Sequence, residues 1–127
     1  GVPWPPDGTL TSVPPYPQVE LILSVGTWQT VVEAYPDTGF EGGLSIPVGA
    51  ARELLAEPYD VSLRLADDDL QQAAAWDGEV ELEGRVFDCE VVALGSRYLL
   101  GREVLDHLEI CFQFGRAVRL RFRDDSA

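Results

Sequence analysis

Val19-Glu20-Leu21-Ile22-Leu23-Ser24-Val25, followed by Gly26-Thr27 and the return stretch Trp28 to Ala34, decides the fold. Val19, Leu21, Leu23 and Val25 alternate with Glu20 and Ser24, the period-two pattern of a strand with one buried face. Gly26-Thr27 supplies the turn, so the reading is a β-hairpin whose second strand runs into Tyr35-Pro36-Asp37-Thr38-Gly39. A carboxylate is thereby set on a tight glycine turn at a strand end, a position suited to acid/base chemistry.

Further strands follow the same signals. Gly42-Gly43-Leu44-Ser45-Ile46 reads as a short strand. Pro47 opens a helical segment with Ala50, Ala51, Leu54 and Leu55 on one side, ended by Pro58. Val61, Leu63 and Leu65 alternate and lead into Asp67-Asp68-Asp69. Glu79-Val80-Glu81-Leu82-Glu83 is the cleanest alternation in the chain, and Gly84 turns it into Arg85 to Leu94. Arg102 to Leu108 is expected as a short helix through Val104, Leu105 and Leu108. A last hairpin is expected from Ile110 to Phe114 and Ala117 to Phe122, turning at Gly115-Arg116. The sum is an all-β protein, closed or sandwich-like, with one or two short helices.

At 127 residues the chain fits one domain with room for a core. Six prolines between Pro3 and Pro17 forbid a helix or central strand there. The expected organisation is a proline-rich arm over 1–18, a domain over 19–123 and a tail over 124–127. The net charge is −13 and every base is arginine. Such acidity excludes binding to nucleic acid or anionic membranes, which needs clustered cations, and favours a basic or neutral partner. No apolar stretch is long enough to span a bilayer and no secretory signal is visible, so a cytoplasmic location is the expectation. Cys89 and Cys111 have no metal-ligand spacing. Buried free thiols are the default reading, and one His with two distant Cys does not make a zinc site.

The order of these features carries a resemblance. A strand pair ending in Asp37-Thr38-Gly39, an acid at Glu41, a hairpin, then Leu99-Leu100-Gly101-Arg102 and a helix-to-strand exit resembles the retropepsin-like aspartic proteases over about residues 19 to 114. The resemblance implies a closed barrel equal to half of a two-domain acid protease, active as a two-fold homodimer. It implies a hydrolase acting on peptide or protein substrates, with no cofactor and no metal. Asp37 of each chain would be catalytic. Thr38 would lock the two loops together, Gly39 would let the substrate backbone approach, and Glu41 would pair with Arg102 of the Gly101-Arg102 turn. The hairpin Val61 to Trp76 would stand as the flap, with Leu65, Ala66, Asp67, Asp68, Asp69 and Trp76 toward the substrate.

The chain departs from the family at two places. The flap tip is acidic where glycines are usual, and Tyr35-Pro36 precedes Asp37 where aliphatic residues are usual. Two alternatives stay open: a catalytically inactive peptide- or protein-binding descendant of the same fold, and an unrelated β-barrel binding module in which Asp-Thr-Gly is only a turn. His107, without a nucleophile arranged around it, is expected on a helix surface. Arg119, Arg121 and Arg123 match Glu79, Glu81 and Glu83 in spacing, and cross-strand pairing is expected if those strands are neighbours, within the chain or across the dimer.

Overall fold

The computed structural model describes residues 18–64, 68–113 and 117–122. Residues 1–17 of the expected arm, the flap-tip residues Leu65, Ala66 and Asp67, the turn at Gly115-Arg116, Arg123 and the tail lie outside the described residues.

Strands β1 (Val19–Val25) and β2 (Trp28–Pro36) form the hairpin read from the sequence, paired from Val19↔Ala34 to Val25↔Trp28. Gly26 takes φ +59° at the two-residue turn, a conformation open to glycine. β3 (Leu44–Ile46) follows, then α1 (Val48–Ala51), β4 (Tyr59–Arg64), β5 (Leu70–Leu82) and β6 (Arg85–Ala93). β7 (Leu99–Leu100), α2 (Arg102–Leu105), β8 (Leu108–Gln113) and β9 (Ala117–Phe122) complete the chain.

Hydrogen bonding runs β1-β2-β7-β3-β6-β5, and β5 returns to β1, so six strands close a barrel; β4 extends it beyond β5. Thirteen residues long, β5 pairs with β1, β4 and β6, which is how one strand can both close the barrel and carry the β4 hairpin. Inward-facing Leu21, Leu23, Leu44, Ile46, Val80, Leu82, Val91, Leu100 and Val104 are at most 1% exposed and fill the interior. Burying such side chains contributes roughly 1.5–3 kcal/mol each. Ser45 is the polar residue buried among them, and its hydroxyl donates to the Leu94 carbonyl at 3.1 Å.

Several expectations are corrected. The first helix is a single turn: Leu54 is buried but Leu55 is 93% exposed, so the apolar residues after Pro47 do not share one face. The second ends at Leu105, because Leu108 already starts β8. Within the chain β9 pairs with β8 in a separate two-stranded sheet, not with β5. Arg121 lies 3.8 Å from Glu109 of β8, while Glu79 and Glu81 face β1 and β6. His107 is exposed just past α2 and stacks on Phe87, with ring centroids 5.6 Å apart. Among the described residues no helix is long and apolar enough to cross a membrane.

The β5–β6 turn is strained at one residue. Leu82 pairs with Arg85, leaving Glu83 at φ +48° and Gly84 at φ +84°, both left-handed as a two-residue type I′ turn requires. Asparagine tolerates that region better than glutamate. Glu83→Asn is expected to stabilise the fold by about 0.5–1 kcal/mol, read as a higher denaturant midpoint with an unchanged m-value.

Candidate active site

Asp37 is positioned by β7. β2 and β7 run parallel, and the Tyr35 and Asp37 amides donate to the carbonyls of Tyr98 and Leu100 at 2.9 and 2.8 Å. Pro36 breaks nothing here. Its missing N–H falls between these two donors, on the side where β1 has already ended at the Val19↔Ala34 pair.

Beyond β2 the chain folds tightly on itself. The Gly39 amide donates to Asp37 Oδ1 at 2.9 Å and the Phe40 amide to the Asp37 carbonyl at 3.2 Å, an aspartate-stabilised turn that orients the carboxylate. The same loop is bonded to the segment after β7. Gly101 donates to the Gly43 carbonyl at 2.8 Å, Arg102 to Phe40 at 2.8 Å and Glu103 to Gly42 at 3.2 Å. The contact is so close that a β-carbon at Gly101 would overlap the Gly42 carbonyl oxygen and stand 2.6 Å from Phe40 Cδ2. Glycine is therefore required there for space.

The Asp37 side chain opens on a cleft of about 760 Å³. Asp37, Gly39, Phe40, Glu41 and Gly42 line one wall. Ser62, Leu63 and Arg64 of β4 line the other, with Leu94 and Leu99 completing it. Asp37 is half-buried, and Thr38 and Gly39 are exposed beside it.

Of the residues singled out in the sequence, Asp37, Gly39 and Glu41 meet at this cleft, with Gly101 and Arg102 immediately behind the loop. The Arg102 guanidinium does not pair with Glu41; its Nε lies 3.6 Å from Asp106 Oδ1, one helical turn on. The loop and the Gly-Arg turn are joined by backbone hydrogen bonds instead. Asp68 is exposed at φ +66° and lies 3.7 Å from Arg64, and Asp69 is exposed and also engaged. At such exposure the Arg64–Asp68 pair contributes little.

Trp76 does not line the cleft. It is 5% exposed in the core, and its indole N–H donates to the Ala56 carbonyl at 2.8 Å, anchoring the loop that precedes β4.

Sequence reasoning missed Phe40 and Leu94 as cleft residues, reached Ser62, Leu63 and Arg64 only as part of the Val61 to Trp76 hairpin, and missed Glu103 as a support. Glu103 Oε1 accepts the Glu90 amide at 3.0 Å, tying α2 to β6. Its position in the first turn of a helix after Gly101 was the available signal. Behind the loop, a β-carbon at Gly43 would stand 2.5 Å from Cys89 Cβ. Burial pushes the Cys89 thiol up to about 12, with the carboxylates of Glu103, Asp88 and Glu90 adding to the shift. Cys111 is exposed, which corrects the expectation that both thiols are buried.

No family model matches this sequence, and no curated protein matches it.

Two outcomes follow from this geometry. Gly101→Ala forces the Asp37 loop away from α2 and is expected to destabilise by about 1–3 kcal/mol, measured by denaturant unfolding. Burial pushes the Cys89 thiol from its ordinary range up to about 12, so between the two the folded state keeps a proton that the unfolded state loses. Stability therefore falls as pH rises through that window. Thiol titration of the native protein at neutral pH is expected to label Cys111 rapidly and Cys89 only on unfolding.

Proposed function

We propose that the chain is a retropepsin-like aspartic endopeptidase assembled from two copies. The observation that carries this reading is the Asp37 carboxylate, oriented by its own glycine turn and opening on a cleft whose far wall is the β4 hairpin. The closed barrel and the order of its elements around that turn support the same reading.

In this proposal the two Asp37 side chains face each other across the two-fold axis. Carboxyls held about 3 Å apart cannot both ionise and share a proton; this behaviour is the standard account of aspartic proteases in general. The ionised carboxylate draws a proton from water as it attacks the peptide carbonyl. The protonated one donates to the carbonyl oxygen, and the proton is then passed to the leaving amine. In the same proposal Thr38, exposed at the loop tip, meets its counterpart in the second copy. The β4 hairpin takes the flap's part.

The substrate is an extended peptide with apolar side chains beside the cleaved bond. β4 stands at the end of the sheet order, with β5 as its one strand partner among the described residues, and its outer edge suits a peptide added as a further strand. Leu63, Leu94 and Leu99 give the cleft its apolar surface.

A mixed peptide library incubated with the wild-type chain and with Asp37→Asn, from acidic to neutral pH, tests the reading. Cleavage is expected to have a bell-shaped pH profile and to fall by about 10²–10⁴-fold or more in the variant. A folded, dimeric wild-type chain that binds peptides without cutting them assigns the cleft to an inactive binding module. Equal cleavage by both proteins removes Asp37 from the chemistry.

A further inference from the structure

Four large apolar side chains converge on the Asp37 cleft without serving the barrel interior. Phe40, Leu63, Leu94 and Leu99 all line it. Each is half-buried, and none belongs to the hydrophobic core or packs against it. Apolar surface left this way is covered favourably by an apolar group entering the cleft.

Phe40 differs from the three leucines in how it is held. Its amide donates to the Asp37 carbonyl at 3.2 Å, and its carbonyl accepts the Arg102 amide at 2.8 Å. Carboxylate and ring therefore belong to one turn, pinned on both sides of residue 40. The ring lies across a shelf made by two glycines. A β-carbon at Gly42 would stand 2.7 Å from Phe40 Cζ, and one at Gly101 would stand 2.6 Å from Phe40 Cδ2. Neither position accepts a side chain unless the ring moves. Among the described residues Phe40 stacks on no other ring and under no guanidinium; those contacts fall to Phe87, Phe122 and Tyr35. An aromatic ring is thus fixed in the cleft, close to the carboxylate, with no stacking partner of its own.

We propose that Phe40 is the specificity-determining residue of this cleft and receives an aromatic side chain of the peptide, beside the bond that is cut. This rests on the reading of the cleft as a peptide site. The incoming ring stacks offset on Phe40, and Leu63, Leu94 and Leu99 give it apolar surroundings. Offset aromatic pairs gain beyond the area they bury, a gain that an aliphatic side chain in the same place does not have. Because one turn holds both the ring and the carboxylate, the recognised residue sits at a constant place relative to Asp37. Recognition by Phe40 therefore sets where along the peptide the cut falls. A purely structural ring, covering the hydrogen bonds between the loop and the segment after β7, would instead affect every peptide alike.

The test uses three extended peptides that differ only in one central residue: phenylalanine, cyclohexylalanine or leucine. Cyclohexylalanine is close to phenylalanine in size but has no π face. Cleavage by the full wild-type chain is read as kcat/KM. Binding of the fluorescein-labelled peptides is read by anisotropy on Asp37→Asn, where nothing is cut; the asparagine oxygen can still accept the Gly39 amide and keep the turn. Phenylalanine is expected to be preferred over both other residues by about three- to tenfold in each assay. In Phe40→Leu, which keeps an apolar side chain over the glycine shelf, the preference is expected to fall to about twofold or less. Phe87→Leu, whose native ring stacks on His107 and Phe122 and does not line the cleft, is expected to retain it.

The proposal is overturned by absence of binding, by equal treatment of the three peptides, or by a preference that survives Phe40→Leu. Uniform weakening of all three in Phe40→Leu, with a lower melting temperature, makes the ring a cover for the loop and also overturns it. If Phe40→Leu does not fold, the comparison of phenylalanine with cyclohexylalanine on the native residue still decides. The two readings fail separately. Binding with the aromatic preference but no cleavage keeps Phe40 in its role and removes the catalysis, whereas cleavage without the preference keeps the catalysis and removes Phe40.

Discussion

Two residues of strand hold this structure together. β7 is only Leu99–Leu100, yet it pairs in parallel with β2 and antiparallel with β3. It therefore closes the barrel between the strand that enters the Asp37 turn and the strand that leaves it. Leu100 is fully buried, and the next residue must be glycine because the Gly42 carbonyl and the Phe40 ring occupy the space of a side chain. Hydrogen bonds from Gly101, Arg102 and Glu103 back to residues 40–43 then fix the loop from both sides. The Asp37 carboxylate owes its position to this backbone lattice and not to an ion pair.

Charge is distributed with the same economy. The arginines of the described residues are largely engaged close to home. Arg64 lies beside Asp68, Arg102 beside Asp106 and Arg121 beside Glu109. Arg85 stands over Phe122 and Arg97 over Tyr35.

Much of the barrel was legible in the sequence because it depends on local pattern. Alternation in Val19 to Val25 and in Glu79 to Glu83 placed both hairpins, since one buried face per strand leaves a period of two. Glu83-Gly84 marked a turn because glycine is the residue that takes φ above zero without strain. Other features depended on distant partners and could not be read locally. Leu55 follows the apolar residues of α1, but the chain leaves the helix after one turn and the side chain swings outward. Trp76 ends the Val61 to Trp76 hairpin that the resemblance makes the flap, yet the Ala56 carbonyl and the barrel core claim it. Arg102 had two acids to choose from, and Asp106 one turn away on the same helix end is nearer than Glu41 across a loop. The β9 arginines match the β5 glutamates in spacing, but spacing does not carry adjacency.

The central claim is that one working site needs Asp37 from two chains. Mixing tests it most directly: wild-type protein held at constant concentration is equilibrated with increasing Asp37→Asn protein, and peptide cleavage is followed. If the site is shared, activity falls as mixed pairs replace wild-type pairs, and approaches zero at large excess of the variant. Activity that stays constant as the variant is added, or that is absent from the wild-type chain at the outset, contradicts the account.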